Sequence, residues 1–224
     1  ILSESAEHHT EPQVRRVQSF DYLFPFGDPP NYTPSKEDSV TAIAAREGRT
    51  VFEVAYDLLI EDDGRAMLFA PNNNYADYTL NACKELMENP NAIVALSDGG
   101  AHVGIMCDAT DMVHTLTHWT RDRTRGPLHG IEEMVRRLTS ANAEAIGLYD
   151  RGRIAAGMRA DINIVDYEAL QLQVPEVCYD LPAEGKRLLQ RSAGFDATIV
   201  AGVSTWRHGE ATGALPGRLL RSGR

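Results

Sequence analysis

Ala92-Ile93-Val94-Ala95-Leu96-Ser97-Asp98-Gly99-Gly100-Ala101-His102 is the stretch on which the fold turns. Its five leading apolar residues read as a strand buried on both faces, and they run without pause into an Asp, two glycines and a His. At the carboxyl end of a parallel strand, a side chain points into the mouth where α/β enzymes place their sites. Asp98 is therefore a candidate functional carboxylate. The plainer alternative is that Asp98 only caps a turn, since Asp-Gly is a common turn dipeptide. Spacing alone leaves both readings open.

Ala66-Met67-Leu68-Phe69-Ala70 reads as a second buried strand. Helical spacing predicts a helix from Ser35 over Lys36 to Arg46, with Gly48 as its stop. Thr50-Val51-Phe52-Glu53 is a capping box, opening a helix with Val51, Val54, Ala55, Leu58 and Leu59 on one face. That helix should end near Asp62-Asp63-Gly64, and another should run from Tyr75 to Glu88. Strand, helix and strand at this spacing predict βα units with a parallel sheet. Residues 11 to 34 read as a long loop.

The helical pattern returns from Gly130 to Leu148, with Gly147 ending its last turns. After Asp150 the period changes. Arg153-Ile154, residues 161 to 166 and residues 197 to 201 read as short strands set off by glycines, and residues 202 to 210 as a strand leading into a hairpin. The expected organisation is an α/β part over residues 1–150 and a β-rich part over 151–224.

Composition supports a globular chain: of 224 residues, 43% are hydrophobic and 24% charged, which excludes disorder, collagen and coiled coil. No run approaches the ~18 apolar residues of a membrane span, so no membrane partner is expected. Residues 1 to 100 hold 17 Asp and Glu against 7 Lys and Arg, and the remainder holds 15 of each. A field of that sign repels phosphate backbones, so no nucleic-acid partner is expected either. Cys83, Cys107 and Cys178 are odd in number and widely spaced, implying neither a disulfide framework nor a zinc ribbon. A reducing cytoplasm is the default expectation. Ile1 to Thr10 carry no basic region followed by an apolar stretch, so no signal peptide is expected, and the lack of an initial Met reads as a processed product or fragment.

Four segments carry a resemblance. Ser97-Asp98-Gly99-Gly100-Ala101-His102 resembles the Ser-Asp-Gly…His segment at the last barrel strand of the amidohydrolase superfamily, in its N-acyl-D-amino-acid deacylase branch. Leu138-Thr139-Ser140-Ala141-Asn142-Ala143-Glu144-Ala145-Ile146-Gly147-Leu148 resembles the helix after that barrel. The run from Asp150-Arg151-Gly152-Arg153-Ile154 through Gly157 and Ala160-Asp161 to Asp166 resembles the return strand into the family's small β domain. Thr212-Gly213-Ala214-Leu215-Pro216-Gly217-Arg218 is similar to the deacylase ending. The matches cover roughly residues 85 to 221 in the family's order, and residues 40 to 84 fit more loosely.

The resemblance implies an α/β chain: the C-terminal part of a metal-dependent hydrolase (β/α)8 barrel, followed by a small β-sandwich segment. It implies hydrolysis of a non-peptide C–N bond, with a small-molecule N-acyl-D-amino acid as substrate and one or two zinc ions as cofactor. Asp98 would be a metal ligand and the general acid/base. A metal-bound water is acidified toward neutrality, and a carboxylate beside it can take its proton and pass it to the departing amine. His102 would bind substrate or orient Asp98, or else be structural.

The chain departs from the family in lacking the His-x-His pair of the first barrel strand. His8 and His9 are adjacent, so in a strand they would face opposite ways. A three-ligand zinc site needs more than Asp98. The expectation is a chain inactive alone that associates as a homo-oligomer through unpaired strand edges. Two rivals stand beside the deacylase: a cyclic-amide hydrolase of the dihydroorotase or hydantoinase kind, and a non-catalytic fragment that persists by oligomerisation. The ending at Gly213 to Arg218 favours the acyclic substrate.

Other residues are weaker candidates. His114 and His118, four apart, would share a helix face at a ligand-like spacing, or simply lie on an amphipathic surface. Arg121-Asp122-Arg123-Thr124-Arg125 is a solvated loop or a partner for a substrate carboxylate. Cys107 beside Asp108 reads as a buried thiol rather than a nucleophile. Gly99-Gly100 lacks the spacing of a phosphate-binding loop.

Overall fold

A computed structural model describes residues 19–71, 73–95, 97, 100 and 102–220. Its contacts divide the chain into two compact units, Ile1–Asn89 and Pro90–Arg224. In the first unit β1 (Phe24–Pro25), α1 (Val40–Glu47), α2 (Val51–Gly64), β2 (Leu68–Phe69) and α3 (Asn81–Glu88) follow in order. The core forms where α1 and α2 meet: Leu23, Val40, Ala44, Val54 and Ala55 are buried together, with Ile43, Val51 and Leu58 against them.

The capping box at Thr50 is formed, with the Glu53 amide donating to Thr50 Oγ1 at 3.3 Å and the Thr50 amide to Glu53 Oε2 at 2.9 Å. The helix expected over residues 36 to 46 is split. Ser35 caps only the short turn Lys36–Asp38, and the chain resets at Ser39, whose Oγ accepts from the Ala42 amide to start α1. Two good cap residues four apart compete, and the second one starts the longer helix. The helix expected from Tyr75 forms only from Asn81. Tyr75 is buried with its hydroxyl donating to the Pro34 carbonyl, and Tyr78 adopts a left-handed φ of 55°, which no helix tolerates.

In the second unit α4 (Asp111–Thr117) runs into a π-helical turn at His118–Asp122. Likewise α5 (Ile131–Arg136) runs into a π-turn at Arg137–Ala141, which hands over to α6 (Asn142–Ala145). Beyond residue 150 the regular elements are strands, apart from the short 3-10 turn Pro182–Glu184. They are β3 (Ile162–Val165), β4 (Gln171–Leu172), β5 (Glu176–Leu181), β6 (Gly185–Leu189), β7 (Ser192–Ala193), β8 (Phe195–Val200), β9 (Val203–Arg207) and β10 (Glu210–Ala211). Their pairing is nested: β5 with β6, β4 with β7 outside them, and β3 with β8 outermost. A hairpin through β9 and β10 extends the last pair into a sheet of order β10-β9-β8-β3.

Two expectations fail here for physical reasons. Every strand pair among the described residues is antiparallel, and residues 92–95 join no ladder. A parallel strand needs cover on both faces, yet Ile93 is 53% exposed. Arg153-Ile154 is no strand either, with Ile154 88% exposed. There Gly152, at φ 80°, presses against the preceding helical segment, where a Cβ would lie 2.8 Å from the Ser140 Cα.

Candidate active site

Residues 92–95 and 97 are held by side chains rather than by a ladder. Asn142, the first residue of α6, donates from Nδ2 to the Val94 carbonyl at 2.6 Å. Three residues on, Ser97 Oγ donates to the Ala109 carbonyl at 2.6 Å. Asp98 itself, with Leu96, Gly99 and Ala101, lies outside the described residues. The structure thus ties Val94, three residues ahead of Ser97, to the segment 138–148, and Ser97 to the start of the helical region at Ala109. The third segment closes on the sheet: Asp161 accepts from the Ala201 amide at 2.8 Å and from Arg159, and Arg151 reaches it at 3.3 Å. Partial burial pushes the Asp161 carboxyl up, but the Ala201 amide and Arg159 outweigh it and hold it below its ordinary value.

His102 is exposed and left-handed, at φ 53°. Its carbonyl accepts from the Ile105 and Met106 amides at 2.9 and 3.1 Å, closing a tight turn. A non-glycine residue in this region stores strain, and His is among the side chains that enter it most readily. The strand region after it docks this loop: the Leu188 amide donates to the Val103 carbonyl, and Gln190 accepts from Thr110 at 2.6 Å while donating to the Gln173 carbonyl. Cys107 sits beside Gln190, and burial, then Asp108 and Asp111, push its thiol up to about 11. It is a protonated thiol at neutral pH and no nucleophile.

His114 and His118 do share a helix face, but within an aromatic layer rather than at a surface. His118 meets Trp119 edge-on, and Trp119 carries the Arg123 guanidinium at 4.4 Å. Burial first, then the charge of a neighbour, pushes both imidazoles down to about 4, so both are neutral at pH 7. The basic run is spent internally. Arg121 donates to the carbonyls of Tyr167, Glu168 and Leu170 and lies over the Tyr167 ring. Arg123 is buried, and of the three arginines only Arg125 fits a solvated loop.

A catalytic zinc centre takes three protein donors. Among the described residues no group of three or more His, Cys, Asp or Glu side chains is placed to hold an ion. Those residues do not by themselves fit a metal centre. The residue that sequence reading missed is Asn142. Its only signal was an Asn, a poor interior helix former, inside an otherwise good helical run.

A model of the amidohydrolase family matches residues 31–211. Among solved structures, one similar chain is a D-aminoacylase described as defining a novel subset of amidohydrolases, with 20% identity and a TM-score of 0.43 over 79% of this chain and 33% of that one. A second is a D-aminoacylase described through the functional role of its binuclear metal center, with 19% identity and a TM-score of 0.43 over 86% and 36%. The chain spans about a third of the length of these structures. No curated protein matches it.

Proposed function

The chain belongs to the amidohydrolase family, and we propose that the hydrolysis it serves is the deacylation of N-acyl-D-amino acids, with Asp98 as general acid/base. The fold that goes with this reading is the end of a (β/α)8 barrel over residues 1–150, followed by a β-sandwich segment over 151–224. Asp98 takes a proton from water as the water oxygen attacks the acyl carbon. It returns that proton to nitrogen as the C–N bond breaks, releasing the carboxylic acid and the free amino acid. His102 binds substrate or orients Asp98. Metal binding is usual in this family, and the proposal includes zinc, one or two ions, with Asp98 as this chain's donor. It also includes self-association, since β3 and β10 are edges of their sheet among the described residues.

The observation that carries the reading is the bond from Asn142 to the Val94 carbonyl, which joins the stretch just ahead of the Ser-Asp-Gly…His segment to the helix that resembles the family's own. The test is turnover of N-acyl-D-amino acids by the protein containing this chain. Asp98→Asn keeps the shape and removes the base, so kcat should fall by ~10²-fold or more. Near-normal turnover in that variant sinks the assignment. Preference for hydantoins or dihydroorotate over acyclic substrates would replace the substrate class with a cyclic amide.

A further inference from the structure

An asparagine inside a helix competes for backbone groups and lowers helix stability, so one placed there usually has other work. Asn142 follows directly on the π-turn Arg137–Ala141. Such turns are rare and recur at functional positions. The Asn142 amide reaches back 48 residues to bond the Val94 carbonyl, while its Oδ1 is buried with no hydrogen-bond partner among the described residues. A surface Asn with both groups solvated would cost less than this arrangement. Residues 92–95 have no neighbouring strand among the described residues to fix them. The Asn142 amide at Val94 and the Ser97 hydroxyl at the Ala109 carbonyl act in place of a ladder, on the residues that lead into Asp98.

We infer that Asn142 is a positioning residue for the reaction: through the Val94 carbonyl it fixes the stretch that precedes, in sequence, the carboxylate assigned as acid/base. The inference rests on the reading of Asp98 given above. Only an amide suits this position. A carboxylate would face the Val94 carbonyl acceptor to acceptor, and a leucine of similar size would leave that carbonyl without its donor.

The experiment compares Asn142→Leu, Asn142→Asp and Ser97→Ala in the protein containing this chain. It reads steady-state kinetics against pH, melting temperature and backbone hydrogen exchange. In Asn142→Leu, kcat should fall about tenfold or more with KM within about twofold, because a misplaced group costs rate more than binding. The pH limb removed by Asp98→Asn should shift. Exchange should rise over residues 92–97 and stay unchanged in β8 and β9. Ser97→Ala, which deletes one hydroxyl and leaves the helix untouched, should move the same readouts less. Unchanged kcat, pH limb and local exchange in both variants overturn the inference, as does a kcat loss that merely follows the unfolded fraction. If Asp98→Asn keeps its turnover, the acid/base reading falls. The exchange data on residues 92–97 would still decide whether Asn142 and Ser97 fix the segment.

Discussion

The imidazoles of His114 and His118 lie face to face, with centroids 4.9 Å apart and planes 12° from parallel. Burial first, then the neighbouring His118 for His114 and Arg123 for His118, pushes each ring from about 6.5 down to about 4. The unfolded chain therefore binds more protons than the folded one between those values. Stability should be full above pH 6.5 and fall as the pH drops toward 4, by on the order of 3 kcal/mol for the coupled pair. Denaturant melts across that window measure it. His118→Leu should flatten the dependence, and an unchanged slope would remove the stack as its source.

Gly152 and Gly157 share a left-handed φ, at 80° and 86°, but only Gly152 has backbone within Cβ reach. Gly157→Ala should cost about 1 kcal/mol, the strain of the conformation alone. Gly152→Ala should cost roughly 2 kcal/mol more, because the Ser140 backbone must move. Equal melting temperatures for the two variants would contradict the close approach.

Arg121 serves three carbonyls of the excursion between β3 and β4. Arg121→Lys keeps the charge and loses the fork, so it should lower stability by about 2 kcal/mol. KM should not change. A raised KM with an unchanged melting temperature would instead place this guanidinium on a substrate carboxylate.

Cys107 should alkylate slowly at pH 8, since a thiol pushed to about 11 holds little thiolate there. Mass spectrometry of partially alkylated protein would compare it with Cys83 and Cys178. Rapid, selective labelling at Cys107 would reverse the assignment, and Cys107→Ser should leave turnover unchanged.

What the sequence made legible was local. The Thr50 box, the stop at Gly48, the strands around Ile162 and Ile199 and the hairpin after Val203 depend on residues within a few positions of one another. The elements that misread were decided at a distance. Tyr75 is diverted from a helix by a carbonyl 41 residues away, and Arg121 leaves its apparent loop for carbonyls 46 to 49 residues on. At the candidate site, the Ser-Asp-Gly…His pattern was visible as residue types. The amide that fixes its approach, 48 residues off, was not, because hydrophobic period and turn chemistry carry no trace of such a bond.

The nested pairing of β3 through β8 also sets an order of events in time. The β5–β6 turn is the shortest closure in the arm, spanning Pro182–Glu184. Once it forms, β4 and β7 are separated by a few effective residues rather than by the whole intervening chain, and β3 and β8 follow in the same way. Loop-closure entropy grows with the length still to be closed, so each ladder shortens the search for the next. The arm should zip from its tip toward Asp161. A substitution that loosens the turn at Ala183 should slow folding of the whole arm, whereas one in the turn at Gly202 should chiefly speed unfolding.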